Sequence, residues 1–358
     1  MTALRGHASP AVGLMDKGPA AASAADIEHL LRMINGFQLS QAIHAAAVLG
    51  LADRLNSGLR TTAELAEATT TDPAALYRLM RALAAIGIVD EDADHCFVLT
   101  ALGSHLREDV AGTQAPMAIM IGQASHWRAW GSLIDAVRHG VTAFDHVHGC
   151  GVWDHRQKHR AEARIFDRAM AAGTERFVQA VLDAHDFSGS RHIVDVGGGD
   201  GMFLARILAA HPALEGTLFD LPHVVAEASS LLAAQGVHDR CRIDGGDFFA
   251  GVPEEGDLYF LKWILHDWDD AAAIDILRSC RKAMKPGSKL LVAEHIIAAR
   301  SDSPAGAFMD LNMMVMTGGR ERTRAEFAGL FAAAGLHLVT VTPTATPLTL
   351  IEGALEPS

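Results

Sequence analysis

His192-Ile193-Val194-Asp195-Val196-Gly197-Gly198-Gly199-Asp200-Gly201 is the stretch on which the reading of this 358-residue chain turns. Its first five residues form a β-rich run, the glycines follow at once, and Met202 to Ala210 continues as a helical stretch. The order is strand, glycine turn, helix. Glycine is needed where the backbone must turn tightly and let a ligand approach, with the amides of the helix N-terminus facing it. A nucleotide-like cofactor is implied, although ordinary strand-to-helix loops also carry glycine. The dinucleotide fingerprint GxGxxG fails in either register, because Met202 or Leu204 stands where its last small residue belongs, and no GK[ST] is present for a P-loop.

The pattern repeats downstream. Leu218-Phe219-Asp220 ends a second strand about twenty residues on, where an acid meets ribose hydroxyls in nucleotide-binding sheets. Arg242-Ile243-Asp244-Gly245-Gly246-Asp247-Phe248 reads as a third strand ending at an acid, which suits an adenine amino group or a capped turn. Asp257 to Leu261 is a fourth strand, and the turn Lys285-Pro286-Gly287-Ser288 leads into a fifth, Lys289 to Glu294. Strands alternating with helices predict an α/β fold with a doubly wound, Rossmann-like sheet, whose ligands sit at the carboxyl ends of the strands.

Upstream the chain is helical. Residues 1–25, rich in Ala, Gly, Ser and Pro, read as a disordered tail without a signal-peptide core. Ile27, Leu30, Leu31, Ile34 and Phe37 then recur at three and four residues, one buried helix face. Thr61-Thr62-Ala63-Glu64 caps a short helix, Asp72-Pro73 starts another, and Ile88-Val89 with Cys96 to Leu99 supplies a hairpin, so residues 26–110 predict a winged helix. Such a unit binds DNA or serves as a dimerisation or lid module. Six arginines, no lysine and twelve acids between Asp26 and Asp109 oppose the first role. Residues 111–187 read as a helical linker contributing to a substrate pocket, and residues 188–358 as the cofactor-binding catalytic domain. Within the linker, His155 and His159 lie four apart, but the Glu of an HExxH motif is absent. The histidines from 146 to 159 therefore read as a solvated basic face and no metal site is predicted.

Composition narrows the function. A formal charge of −13 repels nucleic acid and anionic membranes. The four cysteines form no CxxC pair, which fits a reducing cytoplasm, and no run approaches the ~18 apolar residues of a membrane span.

Together, Val194-Asp195-Val196-Gly197-Gly198-Gly199-Asp200-Gly201, Phe219-Asp220-Leu221-Pro222, Gly246-Asp247-Phe248-Phe249, Leu261-Lys262-Trp263-Ile264-Leu265-His266-Asp267-Trp268 and Gly319-Arg320-Glu321-Arg322-Thr323 resemble the S-adenosylmethionine-dependent small-molecule O-methyltransferases, plant caffeate-type and bacterial antibiotic-tailoring enzymes, from about residue 27 to 350. The resemblance implies a class I methyltransferase fold and an intertwined homodimer through the N-terminal unit. It assigns Asp195, Gly197, Gly199, Gly201, Asp220, Leu221, Gly246, Asp247, Phe248 and Lys262 to S-adenosylmethionine, which leaves as S-adenosylhomocysteine. It makes His266 the catalytic base, Glu294 and Glu321 the acids that orient it, and Asp267 its neighbour in contact with donor or substrate. Trp127, Trp153, Phe166, Met170, Trp263, Met309, Asp310, Asn312, Met313 and Met316 fall in segments that line the acceptor pocket of similar enzymes. Trp130 falls there too.

Elementary chemistry agrees with that assignment. A phenol, with a pKa near 10, is a poor nucleophile at neutral pH, and an imidazole of pKa about 6.5 can take its proton. A carboxylate on the other ring nitrogen fixes the tautomer and stabilises the imidazolium, a role this reading gives to Glu294. The aromatic and Met walls suit a small planar aromatic alcohol of secondary metabolism. Relatives on this scaffold also carry out hydroxylation, decarboxylation or pericyclic reactions. A cofactor-bound regulator on DNA and a nicotinamide oxidoreductase are the readings from other classes.

Overall fold

The computed structural model describes residues 23–58, 60–298, 300 and 303–356. Most of the tail expected up to residue 25 lies outside them. Ser23 caps a helix over Ala24–Ile34 through a reciprocal bond with Asp26, so helix starts two residues before Asp26. Gly36–Val48 follows as a second helix.

The next segment builds the winged helix. Thr61 and Glu64 form a capping box at the start of Thr62–Thr69, and Asp72 caps Pro73–Ala85. Strands β1 (Val89–Glu91) and β2 (Phe97–Leu99) pair antiparallel as the wing. Leu65, Leu76, Met80, Leu83 and Phe97 fill a core of its own. The stripe read as a buried face is the exception. Ile27, Leu30, Leu31, Ile34 and Phe37 are each more than half exposed in the single chain. Periodicity found the apolar face correctly, but none of the described residues covers it.

From residue 192 the sheet is laid down. Strands β3 (His192–Val196), β4 (Glu215–Asp220), β5 (Cys241–Gly245), β6 (Leu258–Lys262), β7 (Lys289–His295), β8 (Leu336–Pro343) and β9 (Leu348–Leu355) take the order β5-β4-β3-β6-β7-β9-β8. The first five are parallel, and β9 lies antiparallel between β7 and β8. This is the class I methyltransferase arrangement, and the antiparallel hairpin is the part the sequence reading does not contain. β5 ends at Gly245, so Asp247 stands two residues beyond the strand instead of closing it.

Successive residues of a strand face opposite sides, and here both sides are dry. Ile193, Phe260 and Leu291 pack under the helices Arg160–Ala184 and Met202–Ala210. Val194, Tyr259, Leu261 and Leu290 pack under Asp270–Ala283 and Arg324–Ala334. Each such side chain contributes roughly 1.5–3 kcal/mol by its burial. The strand order reverses between β3 and β6, and a crevice opens where connections diverge at the carboxyl ends of those strands. Among the described residues no helix is long and apolar enough to cross a membrane.

Candidate active site

The crevice is floored by the glycine turn. Gly197, Gly199 and Gly201 hold φ of 74, 63 and 86°, which L side chains rarely adopt. A Cβ on Gly198 would sit 2.6 Å from Asp195 Oδ2, whereas one on Gly199 would meet nothing within 4 Å. The turn is thus tight beneath and open above. Asp220 closes it: its Oδ2 accepts from the Gly199 amide (2.9 Å) and its Oδ1 from Leu221 (2.6 Å). Asp200 Oδ1 accepts from Met202, the first residue of the following helix (3.0 Å). Gly246 donates to the Asp220 carbonyl (2.9 Å), and a Cβ there would lie 2.5 Å from the Phe219 ring. Asp247 is exposed and its Oδ1 takes the Phe249 amide (2.9 Å), while Phe248 packs edge-on to Trp268.

The charge here is acidic. Burial pushes the Asp195 carboxyl up to about 7 against the pull of Lys262, and raises Asp200 and Asp220 as well. Burial draws Lys262 down to about 8 against the attraction of Asp195, Asp200 and Glu294. Its ammonium lies 4.3 Å from the Trp263 ring centre. Asp195 Oδ2 is buried with no hydrogen-bond partner. An orphaned carboxylate oxygen, further acids and open space over bare backbone fit a cationic, ribose-bearing ligand.

At the end of β6 the chain makes a forced turn. Trp263 has φ of 55°, a strained value for an aromatic residue, and His266 follows on a single 3-10 turn, Leu265–Asp267. Two distant segments hold that turn. Glu294, at the end of β7 and fully buried, accepts with one oxygen from the amides of Ile264 (3.0 Å), Leu265 (2.8 Å) and His266 (3.4 Å). Arg322, also fully buried, donates to the carbonyls of Leu265 and Trp268 (both 2.8 Å) and to Asp270 (2.9 Å). The Arg320 amide donates to the His266 carbonyl, which lies only 2.0 Å from where a Cβ on Gly319 would stand. Arg322 and Gly319 belong to the quoted Gly-Arg-Glu-Arg-Thr run, yet nothing local reveals that they brace a turn some fifty residues upstream.

The imidazole itself pairs with Glu321. Nδ1 lies 2.9 Å from Glu321 Oε1 and 3.7 Å from Glu294 Oε2. The contact that the sequence reading gives to Glu294 therefore goes to Glu321, because the backbone amides anchor Glu294 by Oε1 and leave its Oε2 farther from the ring (3.7 Å) than Glu321 Oε1 (2.9 Å). Nε2 points away, 3.9 Å from Asp267 Oδ1. Burial pulls the imidazolium down, but the charges of Glu294 and Asp267 and the Glu321 bond outweigh it and hold His266 up at about 10. Burial raises the carboxyls of Glu294 and Asp267. His266, Glu294 and Glu321 are also the one set of His, Cys, Asp and Glu among the described residues whose ligand atoms lie within 4.8 Å of one another. A cation there would have to displace the amide and imidazole bonds just described.

The residues assigned to the acceptor sit in four groups. Trp153 lies against Phe166 (5.8 Å between ring centres) and parallel to Trp268 (6.4 Å). Trp263 meets Phe177 on the long helix that also carries Phe166 and Met170. Met309, Asp310, Asn312, Met313 and Met316 share the helix Pro304–Met316, where Met313 and Met316 are buried and Met309 is half-buried. Trp127 and Trp130 lie on Ala124–Gly131. Two polar members are engaged within the protein: Asp310 accepts from the Glu321 amide (2.9 Å), and Asn312 from the Trp130 indole (3.1 Å). Asp167, on the long helix, faces Asp200 and Asp220, and burial pushes it up to about 6; its sequence context carries no signal.

The histidine-rich stretch is only in part a solvated face: His146 and His159 are exposed and His148 is half-buried. His155 is buried, stacked 3.8 Å from the His159 ring, 5.1 Å from that of His148, and 3.3 Å from Glu162 Oε2. Its helix, Val152–Lys158, packs on the long helix, so His155 points inward while His159, four residues on, stays exposed.

Comparison with known proteins decides the family. Residues 130–337 match the family model of the O-methyltransferase domain and residues 31–109 that of the O-methyltransferase dimerisation domain. The chain belongs to the O-methyltransferase family. It is 41% identical over 323 residues to the phenazine O-methyltransferase PhzM of Lysobacter antibioticus, covering 90% of this chain and 94% of that protein. The crystal structure of LaPhzM superposes with a TM-score of 0.89 at 40% identity, over 92% of this chain and 99% of that one. The neocarzinostatin O-methyltransferase NcsB1, solved with S-adenosylmethionine and 2-hydroxy-5-methyl naphthoic acid, gives 0.80 at 31% identity, over 94% and 100%. This O-methyltransferase accordingly takes S-adenosylmethionine as its methyl donor.

Proposed function

We propose that this methyltransferase methylates the hydroxyl of a small, planar aromatic secondary metabolite, with His266 as the general base and Glu321 as the acid on its far nitrogen. The supporting observation is the buried Nδ1 to Glu321 bond of 2.9 Å, which leaves Nε2 as the nitrogen free to meet the acceptor. Glu294 and Arg322 act as positioning residues, since their bonds reach the backbone of the turn. Related proteins such as PhzM and NcsB1 bear names or ligands of this aromatic class.

The donor supplies an activated methyl group on a sulfonium. The glycine turn over residues 197–201 gives it bare backbone, Asp220 and Leu221 receive its ribose, and Gly246, Asp247 and Phe248 frame its adenine. Asp195, Asp200 and Lys262 set the charge of the pocket. Its carboxylates hold the His266 imidazolium up at about 10, so at neutral pH the ring must first lose its proton to act as a base. Once neutral, it takes the proton of a phenol of pKa ~10 on Nε2 at little cost. The remaining work is alignment, which a buried turn tied at both ends performs. Trp153, Phe166, Met170, Trp263 and Met316 offer apolar faces for a flat ring. The exposed stripe Ile27 to Phe37 is covered by a second copy of the chain, making a homodimer through the dimerisation domain.

The test is His266→Gln assayed against a panel of phenolic acceptors by the mass gain of one methyl group. Turnover should fall by about 10²–10⁴, with S-adenosylhomocysteine affinity by calorimetry unchanged. Wild-type turnover in that variant would overturn the mechanism.

A further inference from the structure

Arg156 stands inside the aromatic wall. Its guanidinium carbon lies 3.4 Å from the Phe166 ring centre and 4.7 Å from that of Trp153, so two rings confine it. Phe166 and Trp153 are both among the residues assigned to the acceptor. Asp267, Asp167 and Glu162 are close enough to support the charge, yet the buried Nη1 has no hydrogen-bond partner. Burial lowers Arg156 to about 10, so it remains a cation at neutral pH. The neighbouring Trp153 indole nitrogen is buried and unpartnered as well. Beside them lies a cavity of about 20 Å³ lined by Gln123, Ser125, His126, Arg156, Phe166 and Met316, among others. That is room for one oxygen-sized atom. His126, on the same cavity, is driven down to about 4 by burial and by Arg156, so it presents a neutral ring.

A buried guanidinium with an idle N–H, confined beside a single-atom void, is a costly thing to leave unsatisfied. We propose that Arg156 binds an oxygen substituent of the acceptor, a carboxylate or a ketone carbonyl adjacent to the hydroxyl that is methylated, and so makes the enzyme selective for ortho-oxygenated aromatic alcohols. The proposal rests on the reading of the His266 site as the place of methyl transfer. It adds what that reading lacks, a hydrogen-bond donor that reads the acceptor's second oxygen. Trp153 and Phe166, whose planes cross at 79°, hold the guanidinium from two directions, so the cation need not move to meet the acceptor's oxygen. Arg suits this better than Lys, because its planar fork is directional where an ammonium is not.

The experiment uses the full chain with S-adenosylhomocysteine bound and three probes: α-naphthol, its ortho-carboxylate and its ortho-acetyl ketone. Calorimetry should show at least one oxygenated probe binding about tenfold or more tighter than α-naphthol, as expected for a charge-assisted bond. The carboxylate and ketone arms tell which oxygen is preferred. In Arg156→Gln the preference should collapse while α-naphthol affinity stays as it was. Arg156→Lys, which keeps the charge, serves if the first variant fails to fold, and should retain part of a carboxylate preference and little of a ketone one. A preference that survives both substitutions overturns the proposal, as does tighter binding of α-naphthol than of either oxygenated probe, or no binding of any of the three. Methyl transfer from S-adenosylmethionine to the same probes, measured separately, tests the underlying reading: selective binding without transfer counts against His266 chemistry, and transfer without selectivity counts against Arg156.

Discussion

Glu321 and Glu294 look interchangeable beside His266, and their hydrogen bonds say they are not. Glu321 meets the ring at 2.9 Å, and Glu294 meets three backbone amides with its nearest ring approach at 3.7 Å. Glu321→Gln removes a charged partner from the imidazolium, a bond worth about 1.5–3 kcal/mol. At ~1.4 kcal/mol per decade, kcat should fall by one to two decades with little change in thermal stability. Glu294→Ala instead strips the acceptor from three amides, two buried and one part-buried, at about 1–3 kcal/mol for each buried one, so ~3 kcal/mol of stability is lost. For a chain of this size that is a drop of roughly 6 °C in Tm, at about 2 °C per kcal/mol. Glu294→Gln, whose amide oxygen still accepts, should recover most of it. The assay pairs kcat under saturating donor with thermal unfolding of the same preparations. Full activity in Glu321→Gln, or an unchanged Tm in Glu294→Ala, would refute this division of labour.

Three further outcomes are expected. Asp195, raised to about 7, keeps its proton in the folded state where the unfolded carboxyl has lost it, so its contribution to the stability of the ligand-free protein falls as pH rises from about 4 to about 7 and is level above that. Donor binding, which favours the ionised form, should strengthen over the same upper range by up to ~10-fold per pH unit, and a calorimetric Kd flat from about pH 5.5 to 7.5 would contradict it. Gly319→Ala places a methyl group 2.0 Å from the His266 carbonyl, so kcat should drop at least ~10-fold from misplacement of the base while S-adenosylhomocysteine still binds; an unimpaired kcat would show that the turn yields freely. Ile34→Glu combined with Phe37→Glu puts charge on the exposed stripe and should convert a dimer to monomer by sedimentation, and a persistent dimer would move the interface elsewhere.

What could be read without coordinates follows the range of the forces involved. β3 occupies the residues its β-branched run predicts, and the caps at Thr61 and Asp72 sit where their side chains point, because both signals are local. Asp220 was legible as a strand-end acid, though it closes the glycine turn with both oxygens. Which of two glutamates touches His266 depends on how β7 and the segment after Gly319 meet the same turn, and no window of sequence holds that. The inward packing of His155 escaped for a related reason: a polar residue facing a second helix has the same spacing as one facing water. Arg156 lies in that stretch, hidden by the same misreading.

The antiparallel β9 sets an order of events during synthesis. Strands β3 to β6, with the glycine turn and Asp220, are complete once the chain has passed residue 262, but β7 keeps one row of amides and carbonyls unpaired until Leu348–Leu355 arrives. Glu294 pairs there with Thr349, near the start of β9. Until β9 arrives, the donor's half of the crevice has its strands while β7, which carries the Glu294 that anchors the turn of the base, still borders an open edge.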